Sequence, residues 1–187
     1  MTQNALNVVL RQCDDVEQYT RRNSVRIHGL PTKENEDLLE TLTGCYNEVG
    51  LQLVHGEIDR IHRVGKKTYN AAKKQHTQSI IVKFRSWGPK ARFYKARPKF
   101  IKDDKTVRGN QPPKRKFTVS NDLTKRRLNL LNYAREKLND GNYHVKYVYA
   151  DVNCTLAMRH NDDSLSFFNS KEAFHEIIGI SDDDSDE

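Results

Sequence analysis

The amino-acid sequence predicts an α+β fold: a β-α-β-β-α-β unit, a smaller α/β unit after it, and a short helix in front. Two observations carry that expectation. Strand-length apolar runs around Val25, Ile61 and Ile81 alternate with stretches of helical spacing, and a second helix pattern leads into three further short apolar runs and a closing helix. At 187 residues the chain suits one compact domain or two small ones with a real core.

In order, Leu6, Val9, Cys13, Val16 and Thr20 are spaced three, four, three and four apart. That is a heptad seam of little more than two repeats, either a single helix packed on the following domain or the remnant of an oligomerising coiled coil. Over residues 24–30, Val25 and Ile27 alternate with Arg26 and His28, a strand with one wet face stopped by Gly29, Leu30 and Pro31. Residues 34–51 read as a helix with Leu38, Leu42, Cys45, Tyr46 and Val49 on one side and Gly50 at its end. Ile58, Ile61 and Val64 mark a second strand, which places Arg60 and His62 on one face with Ile58 and Val64. Residues 66–78 are polar, basic and without periodicity, so a flexible loop is expected there. Ile80, Ile81, Val82 and Phe84 form a run apolar on both faces, as in a strand inside a sheet. Directly after it Trp87, Ala91 and Tyr94 fall on one helical stripe, with Ser86 as N-cap and Pro89 in the first turn. Phe117 and Val119 supply a short fourth strand. The order is that of the split βαβ sandwich, with both helices on one face of a four-stranded antiparallel sheet, and it is also the arrangement of RNA-recognition domains.

The second unit opens where Asp122 or Thr124 caps a helix running to Leu138, with Leu128, Leu131, Ala134 and Leu138 as its buried stripe. Lys125, Arg126 and Arg127 fill its first turn. Cations there oppose the helix dipole at roughly a few tenths of a kcal/mol each, which hints at a ligand that compensates them. Strands are expected over 143–149, 155–159 and 164–168, and a last helix over 171–178 with Phe174, Ile177 and Ile178 inward. The tail SDDDSDE is expected to be disordered. The chain thus reads as a 1–22 helix or coiled-coil remnant, a 23–119 RNA-recognition-like domain, a 120–180 α/β domain and a 181–187 acidic tail.

Charge distribution says more than the net +7. Between residues 60 and 127 there are 22 lysines and arginines against three acids, Asp103, Asp104 and Asp122, while the flanking segments are acidic. A centre this basic concentrates a polyanion and neutralises its phosphates. No apolar run approaches the ~20 residues that span a bilayer, so no membrane association is expected. Cys13, Cys45 and Cys154 are distant and odd in number, as for free thiols in a reducing compartment, and the seven histidines lack metal-ligand spacing. No metal and no cofactor are therefore expected. Phosphate-loop, nucleophile-elbow and zinc-helix motifs are missing, so no enzyme is expected. Asp162 and Asp163 beside His160 read as turn chemistry.

With YTRRNSVRIHGLP, EIDRIHRVG, SIIVKF, the KAR of FYKARPKF and SNDLTKRR in this order, the chain resembles the first-open-reading-frame RNA-binding proteins of LINE-type non-LTR retrotransposons, the transposase-22 group. Its C-terminal half is also similar to the C-terminal domain of the baculovirus few-polyhedra protein. The resemblance covers roughly residues 16–178 and implies a coiled coil, an RNA-recognition-like domain and a small α/β domain. It further implies single-stranded RNA binding with little sequence preference, nucleic-acid chaperone activity in a cytoplasmic ribonucleoprotein, and a homotrimer formed through the coiled coil. By position it points to Arg21 and Arg22 at the hinge, to Arg92, Lys95 and Arg97 on the second helix, and to Lys125, Arg126 and Arg127. SIIVKF keeps only the tail of an RNP1 pattern, with Ile81 and Val82 where a stacking ring and its neighbour stand.

A groove lined by these cations is the expected site, with the strand residues Arg26, Arg60, Arg63, Lys83 and Arg85 completing the candidate set. The partner is single-stranded RNA, or DNA. Tyr19, Trp87, Phe93 and Tyr94 are the candidate stacking rings, with Trp87 and Tyr94 expected in the core, and His28 and His62 are candidates on the sheet face. The alternative is an assembly protein of few-polyhedra type, whose basic surface docks an acidic partner or the chain's own tail. QPPKRKF, residues 111–117, has the form of a nuclear-import signal.

Overall fold

The computed structural model describes residues 3–54, 56–71, 74–100, 117–141 and 143–180. Residues 111–116 of the import-like motif and the acidic tail lie outside the described residues. Among those described the chain is α+β, with five α-helices and two antiparallel sheets, and no helix is long and apolar enough to cross a membrane. It divides into two compact units: Arg21–Asp122, and Met1–Thr20 together with Leu123–Glu187. The N-terminal helix α1 (Gln3–Arg21) thus groups with the C-terminal segment as far as Thr20, instead of forming a separate element.

In the unit Arg21–Asp122, β1 (Ser24–His28), α2 (Leu38–Glu48), β2 (Ile58–Asn70), β3 (Gln75–Phe84), α3 (Trp87–Lys95) and β4 (Thr118–Asn121) follow one another. The strands lie in the order β2-β3-β1-β4, all neighbours antiparallel. Val25 and Ile27 oppose Val82 and Ile80, and with Phe84 and Val119 they form the buried face. Leu42, Cys45 and Tyr46 of α2 and Ala91, Phe93 and Tyr94 of α3 are buried with them. Tyr46 and Phe93 stack at 4.7 Å, and Phe93 contacts Phe84 and Phe100 in turn. Burying a ring such as Phe93 contributes about 1.5–3 kcal/mol.

Several expectations change. Helix α2 starts later than residue 34, because Asp37 takes the N-cap and accepts the Leu39 and Glu40 amides. Residues 66–70 and 75–78 are strand and not loop. They extend β2 and β3 into a long hairpin in which Thr68, Tyr69 and Asn70 oppose Thr77, His76 and Gln75. Pairing carried outward from the apolar halves of the two strands holds this polar stretch without a buried face, helped by the Tyr69–His76 edge contact. A register shift between Ile58 and Arg60 sets Ile58 opposite Phe84, so Ile58 faces the helices and not the Arg60 side. Of the expected stripe Ala91 and Tyr94 are buried, whereas Trp87 is 44% exposed, and Phe93 joins the core. Trp87 shares the helical face of Ala91 and Tyr94 but is the first residue of α3, ahead of the turn that buries Lys90, Ala91, Phe93 and Tyr94. Ser86 stands at the N-cap of α3 but makes no side-chain capping bond.

The other unit contains α1, α4 (Lys125–Asp140), β5 (Val145–Ala150), β6 (Leu156–His160), β7 (Leu165–Phe168) and α5 (Lys171–Ile178). Its strands form the sheet β5-β6-β7. Leu130, Leu131 and Ala134 pack with Val148, Leu156, Met158, Phe168 and Phe174 in one core. Of the expected stripe Leu131 and Ala134 are buried and Leu138 packs against the core, while Leu128 is exposed and Leu130 is buried in addition. Thr124 is the cap of α4 and accepts the Arg127 amide, while Ser170 caps α5. Gln18 accepts the Thr124 amide at 2.9 Å, and the Thr124 hydroxyl donates to Asp14. Polar contacts from α1 thus meet the start of α4, whereas Leu6, Val9 and Val16 of its heptad seam remain exposed.

Candidate nucleic-acid interface

The antiparallel register decides which strand residues share the face opposite the helices. Arg60, Lys83 and Ser24 form one cross-strand row, and His62, Ile81, Arg26 and Ser120 form the next. His28 follows, bridging the hydroxyls of Ser79 and Ser120 at 2.9 and 3.0 Å. The sheet therefore brings Arg26, Arg60 and Lys83 together with both candidate histidines. Burial, and after it the Arg26 charge, holds the His28 imidazole below its ordinary value. Asp122 does not cap α4. It sits at the end of this face and accepts from Arg26 Nε at 2.7 Å and Arg21 Nη1 at 3.5 Å. Lys83 pairs loosely with Asp59 at 3.5 Å, and Arg60 has no ion pair or side-chain hydrogen bond among the described residues. No ring other than the histidines stands in these rows, and Phe84 points into the core, in line with the truncated RNP1 pattern.

Two cations of the candidate set are absorbed by the fold. Arg63 lies on the helix side, opposite Ile80, and all five of its N–H groups are used. Nε and Nη2 donate to the Glu36 carboxylate, Nη1 to the Leu30 and Gln78 carbonyls, and Nη2 also to Pro31. The hydrogen bond from Arg63 is the main reason the Glu36 carboxyl lies below the usual carboxylate range. In the other unit Arg127 donates to Asp14 at 2.9 Å, to Asp15 at 2.6 Å and to the Cys154 carbonyl at 3.1 Å.

The helix cations of the unit Arg21–Asp122 do not join the sheet cations. Helix α3 packs on the buried face, so Arg92, Lys95 and Arg97 belong to the opposite side of the sheet from Arg60. Arg92 is paired with Glu57 at 2.7 Å, and Arg97 lies 4.0 Å from the Tyr94 ring centre and donates to the Tyr94 carbonyl. Lys95 and Arg85 are exposed and carry no side-chain partner among the described residues, whereas Arg22 is half-buried. Of the four candidate rings, Phe93 and Tyr94 are core, while Tyr19 and Trp87 are exposed.

Lys125 and Arg126 line an open cleft of about 810 Å³ built by α1, α4 and the start of α5. Its floor includes Leu10, Leu130 and Tyr133. Asp14 and Glu172 also line it, but both are engaged: Asp14 with Thr124 and Arg127, and Glu172 with the Ser170 hydroxyl, which holds its carboxyl low. Lys125 and Arg126 have no such partner among the described residues. The first turn of α4 thus divides its three cations into one structural group and two that face solvent.

Sequence reasoning missed a set of aromatic residues on the sheet β5-β6-β7. Tyr147 and Phe167 are 51% and 57% exposed, with Tyr149 half-buried beside them. The signal was present in the alternation of Tyr147, Val148 and Tyr149, which puts two rings on one face of a strand and an aliphatic on the other. Among the described residues no group of three or more His, Cys, Asp or Glu side chains is arranged to hold a metal ion. No protein-family model matches this chain, and no curated protein matches it.

Proposed function

We propose that this protein binds single-stranded RNA, or DNA, through its phosphates with little sequence preference, as a nucleic-acid chaperone within a cytoplasmic ribonucleoprotein of retrotransposon type. The observation that carries this reading is the row structure of the outer sheet face, where Arg26, Arg60 and Lys83 come together from three adjacent strands. The β-α-β-β-α-β order and the β2-β3-β1-β4 sheet support a split βαβ sandwich of RNA-recognition type for this unit. Uncommitted cations at Arg85, Lys95, Lys125 and Arg126 extend the positive surface on each unit, and guanidinium and ammonium groups that lack a protein anion are the ones available to phosphate. The exposed seam of Leu6, Val9 and Val16 supports self-association through α1 as part of the same reading.

Fluorescence anisotropy with a labelled single-stranded oligonucleotide, repeated over a salt series, tests the proposal. Six to ten phosphate contacts imply a loss of roughly three to five orders of magnitude in duplex affinity between about 50 and 200 mM salt, and somewhat less for a single strand. Arg60→Gln and Arg126→Gln each weaken unrelated sequences alike and shrink the salt slope by roughly 0.7. A salt-independent affinity overturns the reading.

A further inference from the structure

We infer that the outer face of the small sheet β5-β6-β7 is a stacking platform for the bases of a single strand, an inference that rests on the function proposed above and assigns the bases a place distinct from the phosphate-binding sheet. Register sets two rows on this face: Tyr147, Arg159 and Leu165 in one, and Tyr149, Ala157 and Phe167 in the other. The opposite face carries Val148, Met158 and Phe168 into the core against α4 and α5, so the fold has already used its helices on that side. Among the described residues, large aromatic surface is therefore left exposed on the sheet face turned away from α4 and α5. Ala157, between Tyr149 and Phe167 in their row, is wholly buried, so its neighbours on this face cover it.

The chemistry of the patch favours bases over an apolar protein partner. Beside the exposed Leu165 its members are three rings, two of them hydroxylated, and a guanidinium. The Tyr147 and Tyr149 rings stand 5.6 Å apart at 55°, and Arg159 lies directly across from Tyr147 on the next strand. Lys146 adds a second cation at the margin, and one carboxylate, Asp163, is shared between Lys146 at 2.8 Å and Arg159 at 3.6 Å. The Arg159 guanidinium and the Lys146 ammonium stand beside the rings as donors that a phosphate chain can use and an aliphatic interface cannot. Rings two residues apart on a strand are separated by roughly 6–7 Å, and rings two strands apart by roughly 10 Å, so Tyr147 or Tyr149 and Phe167 can each take a separate base. Each stacked base is sequence-tolerant, because every base has a π-face. The first sheet has phosphate-binding cations without stacking rings, and this sheet supplies the rings.

The test measures the full chain against a short single-stranded RNA and against the same strand with its bases replaced by abasic sites. Wild type is expected to prefer the normal strand by about tenfold or more. Tyr147→Ala with Phe167→Ala should abolish that preference and leave abasic binding unchanged, and Tyr147→Phe with Phe167→Tyr should restore it. Both positions are exposed, and a circular-dichroism melt checks that each variant is folded. Equal affinity of wild type for the two strands, or an unchanged preference in the double alanine variant, overturns the platform while the phosphate-binding reading stands. If the double variant instead changes the sedimentation mass of the protein alone, the face is a contact between copies and the inference fails. Absence of any binding by wild type removes both readings.

Discussion

Arg60 and Arg63 are three residues apart on β2, and Arg126 and Arg127 are adjacent on α4, yet in each pair one arginine is spent inside the fold and the other faces solvent. On β2 the strand pleat makes the division: Arg63 turns to the helix side, where Glu36 and three carbonyls surround it, while Arg60 shares the outer face with Lys83. On α4 the helix turn makes it: Arg127 swings to Asp14 and Asp15, while Arg126 lines the cleft. A basic stretch thus holds two populations of cations, and backbone geometry sorts them.

The contrast is widest at Arg63. Arg63→Ala leaves the half-buried Glu36 carboxylate and the Leu30, Pro31 and Gln78 carbonyls without their donor, and should lower unfolding free energy by about 3–5 kcal/mol in urea titrations. Arg60→Ala should change it by no more than about 0.5 kcal/mol. Near-equal losses would end the distinction on β2. On α4 the same contrast is smaller, because Asp15 is well exposed. Arg127→Ala should cost about 1–3 kcal/mol, mostly through Asp14 and the Cys154 carbonyl, and Arg126→Ala almost nothing. An Arg126 variant that unfolds as readily as the Arg127 variant would show that the cleft cation is structural too.

Protonation sharpens the contrast on the sheet face, where His28 is held by two serines. Its folded value lies below the ordinary 6.5, so protons bind the unfolded chain more readily. The stability it supports is complete above pH 6.5 and is lost as pH falls through the lower folded value; His28→Gln should flatten that part of the profile. A pH slope unchanged in the variant would assign the effect elsewhere. Thiol chemistry gives the smallest effect. Burial, with Glu48 nearby, pushes the Cys45 thiol up to about 12, so iodoacetamide at neutral pH should label the exposed Cys13 and spare Cys45 in mass spectra of the native protein. Equal labelling would mean that the α2 core opens readily.

Much of the element order was legible because it depends on local pattern. The alternation at Val25 and Ile27 gave β1, the β-branched run gave β3, and the Phe174, Ile177 and Ile178 spacing gave α5. What stayed hidden depends on partners far along the chain. Nothing local to Arg63 reveals Glu36, and nothing local to Arg127 reveals Asp14, so a count of charges could place the basic band without sorting it. The β2–β3 hairpin was hidden for a related reason, since its outer half has no apolar period and exists through pairing with the strand beside it. Trp87 stayed out of the core although it is in phase with Ala91 and Tyr94, because it opens a nine-residue helix, an end effect that spacing does not show.

Strand β2 lies at the rim of its sheet and is 13 residues long, so one side of its backbone presents a row of amide and carbonyl groups without strand partners among the described residues. A border of that length is a template on which another copy of the chain can add a strand, the first step toward fibrils. Lys66 and Lys67, the register break between Val64 and Thr68, and Gly65 at a φ of 78° fall in the middle of it. Their repulsion and local bend make the border a poor seed, so these two lysines keep crowded molecules from zipping together.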